Sequence, residues 1–236
     1  MSEQAGGIRA ANRARLEGEI LRLGREHLAQ VGPAALSLRA IARDLGMASS
    51  AVYRYVASRD ELLTLLIIES YDAMADAVEA ALAGVDDADL RDRWFTVGRA
   101  LRAWAIANPH DWALLYGSPV PGYAAPPDRT TDPGTRIQVT LIDLIRDIVR
   151  LRRVAPESRR PEASAAALAV AEGIGAELGM SPEELPPALL LAGLCAWTLL
   201  TASVSNEVFE QLGELGGAYA TLHEHVLEVA LRPLLR

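Results

Sequence analysis

Lysine is absent from this 236-residue sequence, so all 23 basic residues are arginine. The bias reads mainly as codon usage, with one consequence: any cationic side chain that contacts phosphate is a guanidinium. Cysteine is nearly absent. The single Cys195 excludes a disulfide framework and a cysteine metal cluster, and points to a reduced, cytoplasmic setting. It lies mid-run in apolar company and is expected as a small buried hydrophobe. Aromatic residues make up 5% of the chain and β-branched residues are scarce, while Ala, Leu, Arg and Glu dominate. That balance points to an all-α protein. The opening MSEQAGGIRAANRAR has no apolar stretch of the kind a secretory signal needs. No Ser-His-Asp spacing, Gly-rich phosphate loop or close carboxylate pair stands out, which counts against a helical enzyme. His27 and His110 are isolated, and His223 and His225 would point about 200° apart on a helix, so neither a metal nor a cofactor is expected.

What is present is unevenly distributed. The whole chain carries −8, a poor match for a polyanion, yet residues 1–59 hold nine arginines against five acidic residues, leaving −12 for the remainder. A basic head on an acidic body is an electrostatic footprint confined to one end.

The apolar spacing predicts a helix over 8–31 (Leu16, Ile20, Leu23, Leu28, Val31) that ends at Gly32-Pro33. A short helix follows Ser37, stops at Gly46, and is succeeded with almost no linker by a second over 48–56. Ser58 with Glu61 forms a capping box for a long helix, 58–83. Helices are expected next at about 87–107 and 109–116, the latter with Asn108 as cap, Pro109 at its first position and Gly117 as its stop. Residues 117–131, GSPVPGYAAPPDRTT, read as a proline-rich loop, with Pro133 opening an amphipathic helix. Further helices are expected at about 162–178, 187–209 and 218–234. The domains are drawn at 1–60 and 61–236.

The stretch 45–56, LGMASSAVYRYV, sets an arginine between two tyrosines. Two short helices joined by a Gly-containing turn are the signature of a helix-turn-helix. At about 100° per residue, Val52 and Val56 share an inner face while Ser50, Tyr53 and Arg54 look outward, flanked by Ser49 and Tyr55. The small Ala48, Ser49 and Ser50 would let the helix start sit deep in a major groove. Arg54 could read guanine bidentately or clamp a phosphate. An ordinary helical hairpin with a solvated polar face would share the pattern.

The full run LSLRAIARDLGMASSAVYRYVASRDEL resembles the N-terminal DNA-binding domain of the tetracycline-repressor (TetR) family, over about residues 10–65. The resemblance implies a three-helix DNA-binding domain followed by a helical ligand-binding and dimerisation domain. It implies that Ser37 and Arg39 contact backbone and a base, that Ser49, Ser50, Tyr53 and Arg54 carry recognition, and that Tyr55 bonds phosphate. Arg59 stands where the family usually has lysine, at a helix N-terminus suited to phosphate. Val56 replaces the more frequent Phe. Downstream, NPHDWALLYG and AWTLLTASVSNEVF resemble the C-terminal subgroup with NP-x-x-Y-x-L-x-F-G and W-x-x-x-HG, except that Thr201 and Ala202 replace the His-Gly.

Residues 188–206 contain no charge and are long enough to span a bilayer. Their hydroxyls, their acidic flanks and the lack of a nearby arginine cluster argue instead for a buried subunit interface, with no membrane partner. With 218–234, this helix resembles the pair that builds the family's dimeric four-helix bundle, so Leu191, Leu199, Val208, Leu222, Val226 and Val229 are expected between subunits. Trp104, Trp112, Tyr116, Leu141, Leu144, Trp197 and Thr201 are the expected lining of an effector cavity. The expectation is thus a homodimeric regulator, most simply a repressor, whose partners are double-stranded operator DNA and a neutral or cationic apolar effector. A DNA-binding dimer with no effector is the alternative.

Overall fold

A computed structural model describes residues 2–236, and helices dominate them. In chain order these are α1 (Ser2–Val31), α2 (Leu38–Asp44), α3 (Ser49–Val52), α4 (Arg59–Leu82), α5 (Leu90–Ala107), α6 (Pro109–Tyr116), α7 (Pro127–Arg150), α8 (Ala165–Glu177), α9 (Pro187–Val208) and α10 (Ala218–Leu231). The only extended pairing among the described residues is the antiparallel bridge between Val154 and Leu235. The chain divides into two compact units. One runs to Ala73 and takes in Asn108–Gly134; the other is Met74–Ala107 with Thr135–Arg236.

In the first unit, Ile20 and Leu23 of α1, Leu38, Ile41 and Ala42 of α2, Val52 and Val56 around α3, and Leu62, Leu63 and Leu66 of α4 form one core. Gly46, at φ +64°, makes the turn between α2 and α3, a conformation that a side chain would strain. His27 Nε2 lies 2.6 Å from Asp44 Oδ2 and ties α1 to the end of α2. Leu114, Val120 and Tyr123 pack against the same core, so the segment after α5 returns to the head. Ser58 caps α4 by accepting from Glu61 N–H at 3.0 Å. Only that half of the expected capping box forms there, because Arg129 binds the Glu61 carboxylate through two bonds of 2.7 and 3.0 Å.

Two expectations change in this unit. The second helix of the helix-turn-helix is a single turn, Ser49–Val52. It tightens at once into i→i−3 bonds, Arg54 N–H to Ala51 O and Tyr55 N–H to Val52 O, as Val56 enters the core. The proline-rich loop is also shorter, because α7 starts at Pro127 and carries Pro133 inside it. Pro127 fills the first helical position, where an N–H has no intrahelical partner. Pro126 O accepts from the N–H groups of Arg129 and Thr130 and from Thr130 Oγ1.

In the second unit α9 is central, packing against α8, α10 and α5. It is long and apolar enough to cross a membrane by length and composition, but Leu189, Leu190, Ala196, Leu200 and Val204 are buried against its neighbours. Gly98 lets α5 approach α10, since a Cβ there would fall 2.2 Å from a Leu227 methyl. Trp94 is buried and donates its indole N–H to Leu227 O (3.0 Å) across the same contact. His223, also buried, places Nδ1 3.0 Å from Ser203 Oγ of α9 and Nε2 3.1 Å from Gly98 O of α5. Gly98 O can only accept, so Nε2 carries the proton and Nδ1 accepts from Ser203. Cys195 is exposed in the single chain, contrary to its expected burial: it lies on the α9 face that these neighbours leave open.

Candidate nucleic-acid interface

The polar residues of the helix-turn-helix emerge because the apolar ones are consumed by the core. Val52 and Val56 are buried, which leaves Ser50, Tyr53 and Arg54 exposed, with Ala48 and Arg39 also exposed and Ser37 and Ser49 half-buried. Tyr55 is half-buried against the core, and the Arg13 guanidinium lies 5.7 Å from its ring centre. Ser37 precedes α2 in extended conformation without capping it through its side chain, so its hydroxyl is available to an outside partner.

Charge pairing sharpens this surface. Arg13 pairs with Glu17, Arg22 with Glu19 and Glu26, and Arg25 with Glu69. Among the described residues of the head, the arginines outside any ion pair are Arg15, Arg39, Arg43 and Arg54, and three of these flank the turn between α2 and α3 or follow α3 directly. A guanidinium without a carboxylate keeps its donors for phosphate or guanine.

Arg59 is oriented differently. It donates to Pro33 O (2.8 Å) and Ala34 O (3.2 Å), and its buried Nε has no partner. It braces the turn after α1 against the start of α4 instead of reaching outward. No local pattern announces this, since the carbonyls it binds belong to a distant part of the sequence.

The residues expected around an effector separate between the units. Trp112 and Tyr116 belong to the first; Trp104, Leu141, Leu144, Trp197 and Thr201 belong to the second. Trp112 is fully buried, its ring 4.3 Å from that of Tyr116, which in turn meets Tyr71 edge-on. Burial pushes the Tyr116 hydroxyl well above the ordinary phenol range and raises Tyr71 too. With its side chain fully enclosed, Trp112 is a core residue in this structure. Leu141 and Leu144 are buried, whereas Trp104, Trp197 and Thr201 are half-buried.

A short helix pair on a packed three-helix head, with unpaired arginines facing outward, defines a helix-turn-helix DNA-binding protein of all-α build. Comparison with known proteins agrees. Residues 20–66 match the family model described as bacterial regulatory proteins, tetR family, and residues 94–230 match that of the tetracyclin repressor-like C-terminal domain. The HTH-type transcriptional regulator Mb1846 of Mycobacterium bovis is 42% identical over 217 residues, covering 88% of this chain and 86% of its own. The crystal structure of the regulatory protein SCO4313 superimposes with a TM-score of 0.74 at 30% identity, covering 95% of this chain and 98% of its own. A tetR-family regulatory protein from Rhodococcus RHA1 shares the fold alone, with a TM-score of 0.59 at 17% identity over 92% and 96% of the chains. The chain belongs to the TetR family: it is a DNA-binding transcriptional regulator, not an enzyme.

Proposed function

We propose that the chain acts in the cytoplasm as a homodimeric repressor that binds a near-palindromic operator and is released by a small apolar effector. The observation that carries the dimer is the open face of α9 and α10. Leu199, Leu222 and Val229 are 43%, 37% and 47% exposed in the single chain, with Leu191, Val208 and Val226 half-buried beside them. Two copies joined there would bury that face and present two helix-turn-helix heads to half-sites about 34–36 Å apart. Ser37, Arg39, Ala48, Ser49, Ser50, Tyr53, Arg54 and Tyr55 form the DNA contact surface in this reading, with Arg59 as its brace. For the effector, Trp104 and Trp197 of the second unit are half-buried and keep accessible ring surface, as does Phe209, which suits a flat, neutral or cationic molecule. Such a ligand releases DNA only if it binds one conformation more tightly than the other.

Footprinting tests the dimeric reading. The wild-type protein should protect two related half-sites together. Leu199→Glu leaves the exposed protomer surface foldable but places an unpaired carboxylate in the dimer, costing several kcal/mol. The variant should sediment as a monomer and lose the footprint. A Leu199→Glu protein that stays dimeric and protects both half-sites would move the interface elsewhere.

A further inference from the structure

The arginines of the second unit are sorted by position. Every one from Arg91 to Arg150 pairs with a carboxylate. Those outside any ion pair among the described residues are Arg152, Arg153, Arg159, Arg160, Arg232 and Arg236, and all lie where two stretches of chain meet. The junction is tied by backbone hydrogen bonds: Val154 bridges Leu235, Ala155 N–H donates to Leu234 O (3.0 Å), and Arg236 N–H donates to Arg153 O (2.9 Å). Arg160 reinforces it by donating to Ala155 O at 3.1 Å. Acidic residues outnumber basic ones in this chain, 31 to 23, so a cluster of arginines outside any ion pair is not a matter of supply.

Arg153, Arg159, Arg232 and Arg236 line a groove of about 680 Å³ whose floor includes Leu90 and Leu231. That size suits a small molecule. Three carboxylates share its lining, against five arginines. Asp86 accepts from Ala88 N–H and Asp89 from Asp92 N–H, both at 2.9 Å, while Glu228 pairs with Arg91. We propose that this groove binds a small multivalent oxyanion, a phosphorylated or polycarboxylate compound, held by Arg153, Arg232 and Arg236. The acidic body does not forbid it, because screening confines long-range repulsion to about 8–10 Å at ordinary ionic strength. Paired guanidinium groups bind such oxyanions through bidentate hydrogen bonds. The site is distinct from the effector reading above and does not depend on it.

The test uses the full-length protein, with inorganic pyrophosphate and citrate as probes, in calorimetric titration at constant ionic strength. At least one should bind saturably, and the tighter of the two names the anion class. Arg153→Gln/Arg232→Gln should weaken that binding tenfold or more. Arg15→Gln, which removes an arginine of the head that is likewise outside any ion pair, should leave it unchanged. Arg153→Gln alone, at an exposed position without a side-chain partner, should give a smaller loss in the same direction and covers the case where the double variant misfolds. Failure of both probes to saturate, equal affinity in the wild-type and glutamine variants, or an equal loss in Arg15→Gln would overturn the proposal.

Discussion

Arg54 and Arg59 stand at the two ends of the turn between α3 and α4, and their surroundings give them different work. Arg54 is exposed and outside any ion pair, so removing it should subtract an intermolecular contact. Arg54→Ala should cost about 1–3 kcal/mol of operator binding if it reads a base, and relax specificity at one position per half-site. Arg59 is tied to the carbonyls of Pro33 and Ala34. Arg59→Gln should lower the melting temperature of the head and weaken all DNA sequences alike, while the salt dependence of binding keeps its slope. A slope flatter by about one unit per subunit would mean that Arg59 leaves its brace for a phosphate. Trp112 presents the same distinction inside the first unit. Since the ring is fully enclosed, Trp112→Ala should destabilise the fold by about 3–5 kcal/mol in urea unfolding. A variant as stable as wild type that has lost only effector binding would return Trp112 to the pocket.

At the scale of elements, periodicity made the long helices legible: α4, α5, α9 and α10 lie within about three residues of where apolar spacing and caps put them, and α1 ends at Val31 as expected but begins at Ser2, ahead of the apolar stripe that marked its start at residue 8. It failed where a partner far along the chain decides the outcome. The short α3 ends because Val56 turns into the core, and the wheel that assigned its faces had no knowledge of that core. Pro133 looked like a helix start because a proline usually interrupts one; Pro126 and Thr130 supply the real start upstream. Cys195 sits in an apolar run, and sequence cannot say which side of such a helix its neighbours leave uncovered. The outward residues of the candidate DNA surface were legible because they are the complement of a local apolar pattern, whereas the orientation of Arg59 was not.

The latch on His223 joins α5, α9 and α10 through one neutral ring and carries a pH signature. Burial lowers its pKa below 6.5, outweighing the Gly98 hydrogen bond that would raise it. The folded state therefore binds this proton less readily than the unfolded chain. The contribution of His223 to stability is complete above about pH 6.5 and declines as pH falls from there to the folded value. Urea midpoints at pH 7.5 and 5.5 should thus differ more for the wild type than for His223→Gln, where nothing titrates. Equal differences in both proteins would show that the ring does not govern acid sensitivity.

At the scale of the whole molecule, charge is divided by use. The body neutralises most of its arginines internally, and the head directs several of its own outward, so the net charge of −8 says little about what either surface attracts. The return of residues 108–134 to the head has a different consequence, one for modularity. A DNA-binding cassette cut after Ala73 would lack Leu114, Val120 and Tyr123 from its core, the Tyr123 hydroxyl 2.9 Å from Thr64 Oγ1, and the arginine that holds Glu61. Such a fragment should melt below the intact head. Chimeras that exchange heads between relatives should fold well only when the strap travels with its own α4. Recombination at the obvious boundary is thereby discouraged, and the reader of DNA and this strap are inherited as one piece.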